Sequence, residues 1–142
     1  NDQHHLTIYF VGEIEPEQLA EMSEALSDMN LKSFSGLVDI TGISFFPNED
    51  SQVLAALVKA SPQLNSLHKE VENIVINIGL GTDLKAYKPH ITLGRFKEIK
   101  RPQYEFEIFK EPLKGKMKRI DVLESEFSKG KTQYILLRSF EL

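Results

Sequence analysis

The chain has no cysteine, no tryptophan and no apolar run approaching the roughly 18 residues a membrane-spanning helix needs. Lack of cysteine excludes a disulfide framework, a thiolate nucleophile and a thiolate zinc site, and with no signal-peptide pattern at the start it points to a reducing, cytoplasmic setting. The first residue is Asn1 rather than methionine, so that setting is an expectation about the segment in hand. Basic side chains are in deficit as well, with 17 Lys and Arg against 21 Asp and Glu and a net charge of −4. Such a balance argues against a protein that coats long nucleic acid by neutralising many phosphates, yet is compatible with a small anion held in a local pocket. What is present is ordinary for a globular chain: 142 residues, 41% hydrophobic and 27% charged, the length and composition of one domain around one core.

Local patterns divide the chain into strands and two helices. Residues 6–11 form a β-branched and aromatic run closed by Gly12, which predicts a strand. Pro16 then precedes a helical pattern over residues 17–30, with Leu19, Met22, Leu26 and Met29 on one face. Residues 34–46 read as two strand segments joined by a turn or bulge around Gly36 and Gly42, followed by a loop over residues 47–50. The alanine-rich stretch 53–59 fits a buried strand and a short helix equally by periodicity. Ser61 and Pro62 open a second helix whose apolar face carries Leu64, Leu67, Val71 and Ile74. Residues 79–83 read as a loop, and strands are predicted over residues 89–96, 104–109, 120–127 and 134–140, with a hairpin break at Ser128, Lys129 and Gly130. The basic cluster of Lys110, Lys114, Lys116, Lys118 and Arg119 suits a solvated strand edge better than a nucleic-acid surface. The sum is an α+β layer design.

An internal repeat carries the chemistry. His5-Leu6-Thr7-Ile8 is echoed 85 positions later at His90-Ile91-Thr92-Leu93, and Glu13-Ile14 is echoed in register at Glu98-Ile99. Alternation along a strand puts His5 and Thr7 on one face with Leu6 on the other, and does the same for His90, Thr92 and Ile91. Two facing copies would line one cavity with two imidazoles and two hydroxyls. Histidine titrates near neutrality, so one ring can take a proton from water while the other gives one to a departing sugar oxygen. The hydroxyls can donate to phosphoryl oxygens as charge builds there. A single His-x-Thr arises readily by chance, and a strand histidine is commonly a hydrogen-bonded core residue; two copies in register are far harder to dismiss. A metal centre on His4, His5, His68 and His90 fits poorly, because adjacent His4 and His5 point to opposite faces and His68 falls on a helix expected to show it to solvent.

The paired motifs in HHLTIYFVGE and YKPHITLGRF, the FFP turn at Phe45, Phe46 and Pro47, and the ending LESEFSKGKTQYILLRSFEL together resemble the two-histidine (2H) phosphoesterases, along the whole chain. The specific likeness is to the RNA 2',3'-cyclic phosphodiesterase or 2'-5' RNA ligase family. That resemblance implies a bilobal α+β fold, with two antiparallel sheets in pseudo-twofold relation around a central cleft and helices outside. It implies that residues 53–59 are a strand. Residues 1–142 then form one such domain, lacking the strand and helix with which family members usually begin. By the same resemblance His5 and His90 are the catalytic pair, Thr7 and Thr92 bind phosphate, Arg95 assists them, and Phe46 is a possible base contact. The implied substrate is an RNA end or small nucleotide carrying a 2',3'-cyclic phosphate, opened to a 2'-phosphate by a monomer with no metal or other cofactor. The alternatives are action on 2'-5' linked RNA, as phosphodiesterase or ligase, and a non-catalytic module that holds a nucleotide phosphate.

Overall fold

A computed structural model describes residues 4–48, 51–81, 85–96 and 107–142. Helix α1 (Pro16–Asp28) begins where Pro16 costs no hydrogen bond, and the Gln18 side chain takes the Glu15 backbone N–H at 3.0 Å. Helix α2 (Pro62–Asn77) is capped by Ser61, whose Oγ accepts the Leu64 N–H at 3.1 Å. Its buried face runs Leu64, Leu67, Val71 and Val75. The expected last member, Ile74, is only partly buried, because steps of three, four and four track the 3.6-residue turn and bring Val75 inward.

Met22, Leu26 and Leu31 pack with Leu67, Val71 and Val75 into the main core. Ile8, Tyr9 and Val11 of the first-motif segment join it, as do Ile120, Val122, Phe140 and Leu142 from the C-terminal hairpin. That hairpin is β5 (Arg119–Ser128) and β6 (Lys131–Glu141), a two-stranded antiparallel sheet. Ser128 pairs with Lys131, so the loop is the two residues Lys129 and Gly130, both at positive φ (52° and 74°), as a tight hairpin turn requires.

The larger sheet has four antiparallel strands in the order β3-β2-β1-β4, where β1 is Leu37–Phe46, β2 Val53–Val58, β3 His90–Arg95 and β4 Glu107–Lys116. Residues 53–58 are thus a central strand, and the alanines of β2 are buried on both faces: Ala55 and Ala56 are 0% and 7% exposed. β1 is one strand rather than two, with its register broken at Thr41. Gly42 beside that break is obligatory for close approach, since a Cβ there would lie 2.5 Å from the Glu107 carbonyl oxygen. β4 contains the described part of the expected 104–109 strand and continues through most of the basic cluster as a sheet edge.

The first motif departs from expectation. Residues 6–11 do not form a strand; among the described residues the segment makes one antiparallel bridge, Leu6 to Ile91 at the edge of β3. Its apolar residues are held by side-chain packing against the helices instead.

Candidate active site

That single bridge decides the geometry of the two motifs. In an antiparallel pair with Leu6 opposite Ile91, Thr7 lies beside His90 and His5 beside Thr92. Leu6 and Ile91 turn to one face, and all four polar residues turn to the other. His5 and His90 are diagonal neighbours across the bridge, a relation that sets them about 7–8 Å apart in backbone position. Both imidazoles are half-buried, while Thr7 and Thr92 are exposed.

Each ring rests on an aromatic side chain. Phe46 stacks on His90 with centroids 3.7 Å apart and planes 17° apart. Tyr134 of β6 meets His5 edge-on at 4.8 Å and 74°. The His90 ring is fixed a second time, by Nδ1 lying 2.8 Å from the Lys88 carbonyl oxygen. A carbonyl only accepts, so Nδ1 carries the hydrogen and the neutral ring bears its lone pair on Nε2.

Tyr87 joins the motifs from a third side. Its hydroxyl donates to the Thr7 carbonyl oxygen at 3.1 Å, and its ring stacks on His68 at 4.3 Å and 14°. His68 in turn lies 5.4 Å from the Tyr9 ring. Burial raises the Tyr87 hydroxyl above its ordinary ionisation range, so it remains a donor at any ordinary pH. His68 is therefore half-buried between tyrosines rather than turned to solvent as expected, because α2 presents that position to the first-motif segment. Among the described residues no group of three or more His, Asp or Glu converges as metal ligands would.

A cavity of about 430 Å³ opens beside His90, lined by Ser44, Phe46, Leu57, Tyr87, Lys88 and Pro89 among others. It borders the second motif through Pro89 and Phe46, and neither His5 nor His90 is part of its wall. Phe46, expected as a possible base contact, is a half-buried wall residue with one ring face already against His90. Arg95 pairs with Val53. Strict alternation from Thr92 would send it to the opposite face, but the register shifts so that Ala55 pairs with Thr92 and Leu54 with Gly94, and this returns Arg95 to the face of Thr92 and His90. The echo at Glu98-Ile99 lies outside the described residues. Sequence reasoning missed Tyr87 and Tyr134, since neither sits in a repeat or spacing that marks it; the only available signal was that Tyr87 stands three residues before the second histidine.

Two antiparallel sheets and two helices, with paired His-x-Thr motifs brought to one face, define a two-motif phosphoesterase-type architecture. Residues 1–127 match the model of the 2'-5' RNA ligase superfamily, and the chain belongs to that family. It is 34% identical over 100 residues to an RNA 2',3'-cyclic phosphodiesterase of Archaeoglobus fulgidus, an alignment covering 70% of this chain and 54% of that protein. A Thermotoga maritima protein of the same name is 31% identical over 96 residues, covering 66% of this chain and 50% of the relative. The chain thus spans about half the length of these curated relatives. In structure it resembles TT0787 of Thermus thermophilus, with a TM-score of 0.81 at 25% identity, over 99% of this chain and 78% of that one. The LigT protein of E. coli, solved with 3'-AMP, shares the fold at a TM-score of 0.73 and 20% identity, over 99% of this chain and 78% of LigT.

Proposed function

We propose that this protein hydrolyses RNA or nucleotide 2',3'-cyclic phosphates to 2'-phosphates, with His5 and His90 as the acid-base pair. The observation that carries the reading is the Leu6–Ile91 bridge, which turns both imidazoles and both threonine hydroxyls to one face. The names of the relatives give the substrate class, and the imidazole pair suits its chemistry.

In this scheme His90 takes a proton from water through Nε2, in keeping with an Nδ1–H held by the Lys88 carbonyl. The water oxygen bonds to phosphorus as the bond to the 3' oxygen breaks. Protonated His5 gives its proton to that leaving oxygen, and the 2' oxygen keeps the phosphate. The rings then exchange protons with solvent to restore the starting state. Thr7 and Thr92 donate to the non-bridging oxygens, where charge grows most in the transition state. Arg95, on the same sheet face, adds a positive charge toward them. The outer face of Phe46, away from His90, is the base contact.

The test is to assay His5→Ala and His90→Ala separately on each 2',3'-cyclic nucleoside monophosphate. Each should lose at least about a hundredfold in kcat, the scale of a general acid or base. Full turnover retained in either variant rejects the pair. The product distinguishes the related reading, since cleavage or joining of 2'-5' linked RNA would appear only with substrates holding that linkage.

A further inference from the structure

One row of the four-stranded sheet has a charge the whole chain lacks. The residue following β2, Lys59, donates its backbone N–H to the Asp39 carbonyl oxygen at 2.8 Å, and Asp39 pairs with Lys114 of β4. On the other side, Val58 N–H reaches the Pro89 carbonyl oxygen at 3.2 Å, which extends the β2–β3 pairing and sets Lys59 opposite Lys88. Lys88, Lys59, Asp39 and Lys114 therefore cross the sheet in sequence, at strand spacings of about 4.8 Å.

Register gives the face. Leu57 pairs with both His90 and Gly42, so Lys59, two positions on from Leu57, turns the same way as His90. The break at Thr41 puts Ile40 opposite Val58, which leaves Asp39 and its partner Lys114 on the His90 face. Lys116, paired with Leu37, follows on that face. This end of the face is open, with Leu37 64% exposed and all four lysines exposed. Asp39 is the one carboxylate in the row, held by Lys114 at 2.7 Å in an exposed ion pair of little net worth. A chain of net charge −4 thus shows a net positive band that starts two residues, about 7 Å, from His90.

Protecting a sheet edge explains lysines on β4. It does not explain Lys59, which follows the central strand and turns to the same face as Lys114 and Lys116.

Resting on the function proposed above, we infer that this band is a track for the sugar-phosphate backbone of an RNA strand whose cyclic end lies at the imidazoles. The protein then prefers oligonucleotide ends to mononucleotides. Backbone phosphates meet Lys88 first and Lys59, Lys114 and Lys116 beyond it.

The test is the triple variant Lys59→Gln, Lys114→Gln, Lys116→Gln, with Lys32→Gln, Lys69→Gln, Lys129→Gln as a control of equal charge. KM is measured for a cyclic-ended oligoribonucleotide and for a 2',3'-cyclic mononucleotide. Binding of a fluorescent 3'-phosphorylated oligoribonucleotide is followed by anisotropy across salt concentrations. Three lost contacts to a single strand should lower the slope of log affinity against log salt by about 2 and raise the oligonucleotide KM at least about tenfold. Mononucleotide kinetics should stay within about twofold, and the control should change neither quantity by more. An unchanged slope, an equal loss on both substrates, or an equal effect of the control overturns the track. If the parent protein hydrolyses neither substrate, the catalytic reading fails, while the anisotropy arm still decides the track.

Discussion

Replacing Tyr87 by phenylalanine removes one oxygen and leaves the ring that stacks on His68. The lost contact is the 3.1 Å bond to the Thr7 carbonyl, a direct tie from the lead-in to the second motif to the backbone of the first. A hydrogen bond of this kind contributes about 0.5–1.5 kcal/mol net. Thr7 is exposed, so its freed carbonyl is rehydrated and the stability loss belongs at the lower end of that range. The catalytic loss should be the larger effect, because among the described residues the two motif segments pair through a single rung and this hydroxyl is a second tie between them. About 1 kcal/mol lost from transition-state alignment is roughly a fivefold fall in kcat, with KM for a cyclic mononucleotide unchanged. Steady-state kinetics of Tyr87→Phe on a 2',3'-cyclic mononucleotide, beside a thermal melt, measures both. The pH dependence adds a sign. Burial raises the Tyr87 ionisation above its ordinary value of 10.0, so the ratio of parent to variant kcat stays constant through the neutral range. Above about pH 10 the unfolded chain ionises this phenol while the folded one resists, so the parent loses stability with rising pH more steeply than the variant. A parent-like kcat accompanied by a lower melting temperature would refute the alignment role.

Leu67→Ala empties a fully buried position between the two helices and the first-motif segment, and chemical denaturation should show about 2–5 kcal/mol less stability. Gly42→Ala drives a methyl group to within 2.5 Å of the Glu107 carbonyl oxygen; amide exchange should show β1–β4 pairing loosened while the β5–β6 hairpin keeps its protection. Prolonged treatment with EDTA should leave kcat on a cyclic mononucleotide unchanged, since the proposed reaction runs on imidazole proton transfer; activity lost and restored by a divalent cation would point to metal-assisted chemistry.

The sequence made the two His-x-Thr motifs visible because a repeat is a pattern within the chain and needs no knowledge of what packs where. Helices were legible for a similar reason, with Pro16, Ser61 and Pro62 marking starts by local chemistry. Residues 53–58 were ambiguous because a strand paired on both sides and buried on both faces loses the alternation by which strands are recognised. The run 6–11 showed the opposite failure: its residues favour a strand, but a ladder needs a neighbour, and among the described residues only Ile91 supplies one. Tyr87 and Tyr134 were silent because each acts through a contact with a distant part of the chain. Arg95 reaches the face of Thr92 only through a register shift, which side-chain periodicity cannot forecast.

Register sets Leu57 beside His90 and Ala55 beside Thr92 on one sheet face, with Gly42 and Ser44 one strand further on. Gly42 and Ala55 are buried, so the floor there is sealed, and it is Leu57 that borders the cavity next to His90. A relative with a smaller or larger side chain at that one place would reshape the chamber while retaining the same chemical machinery, so ligand choice in such proteins would drift through a single aliphatic residue.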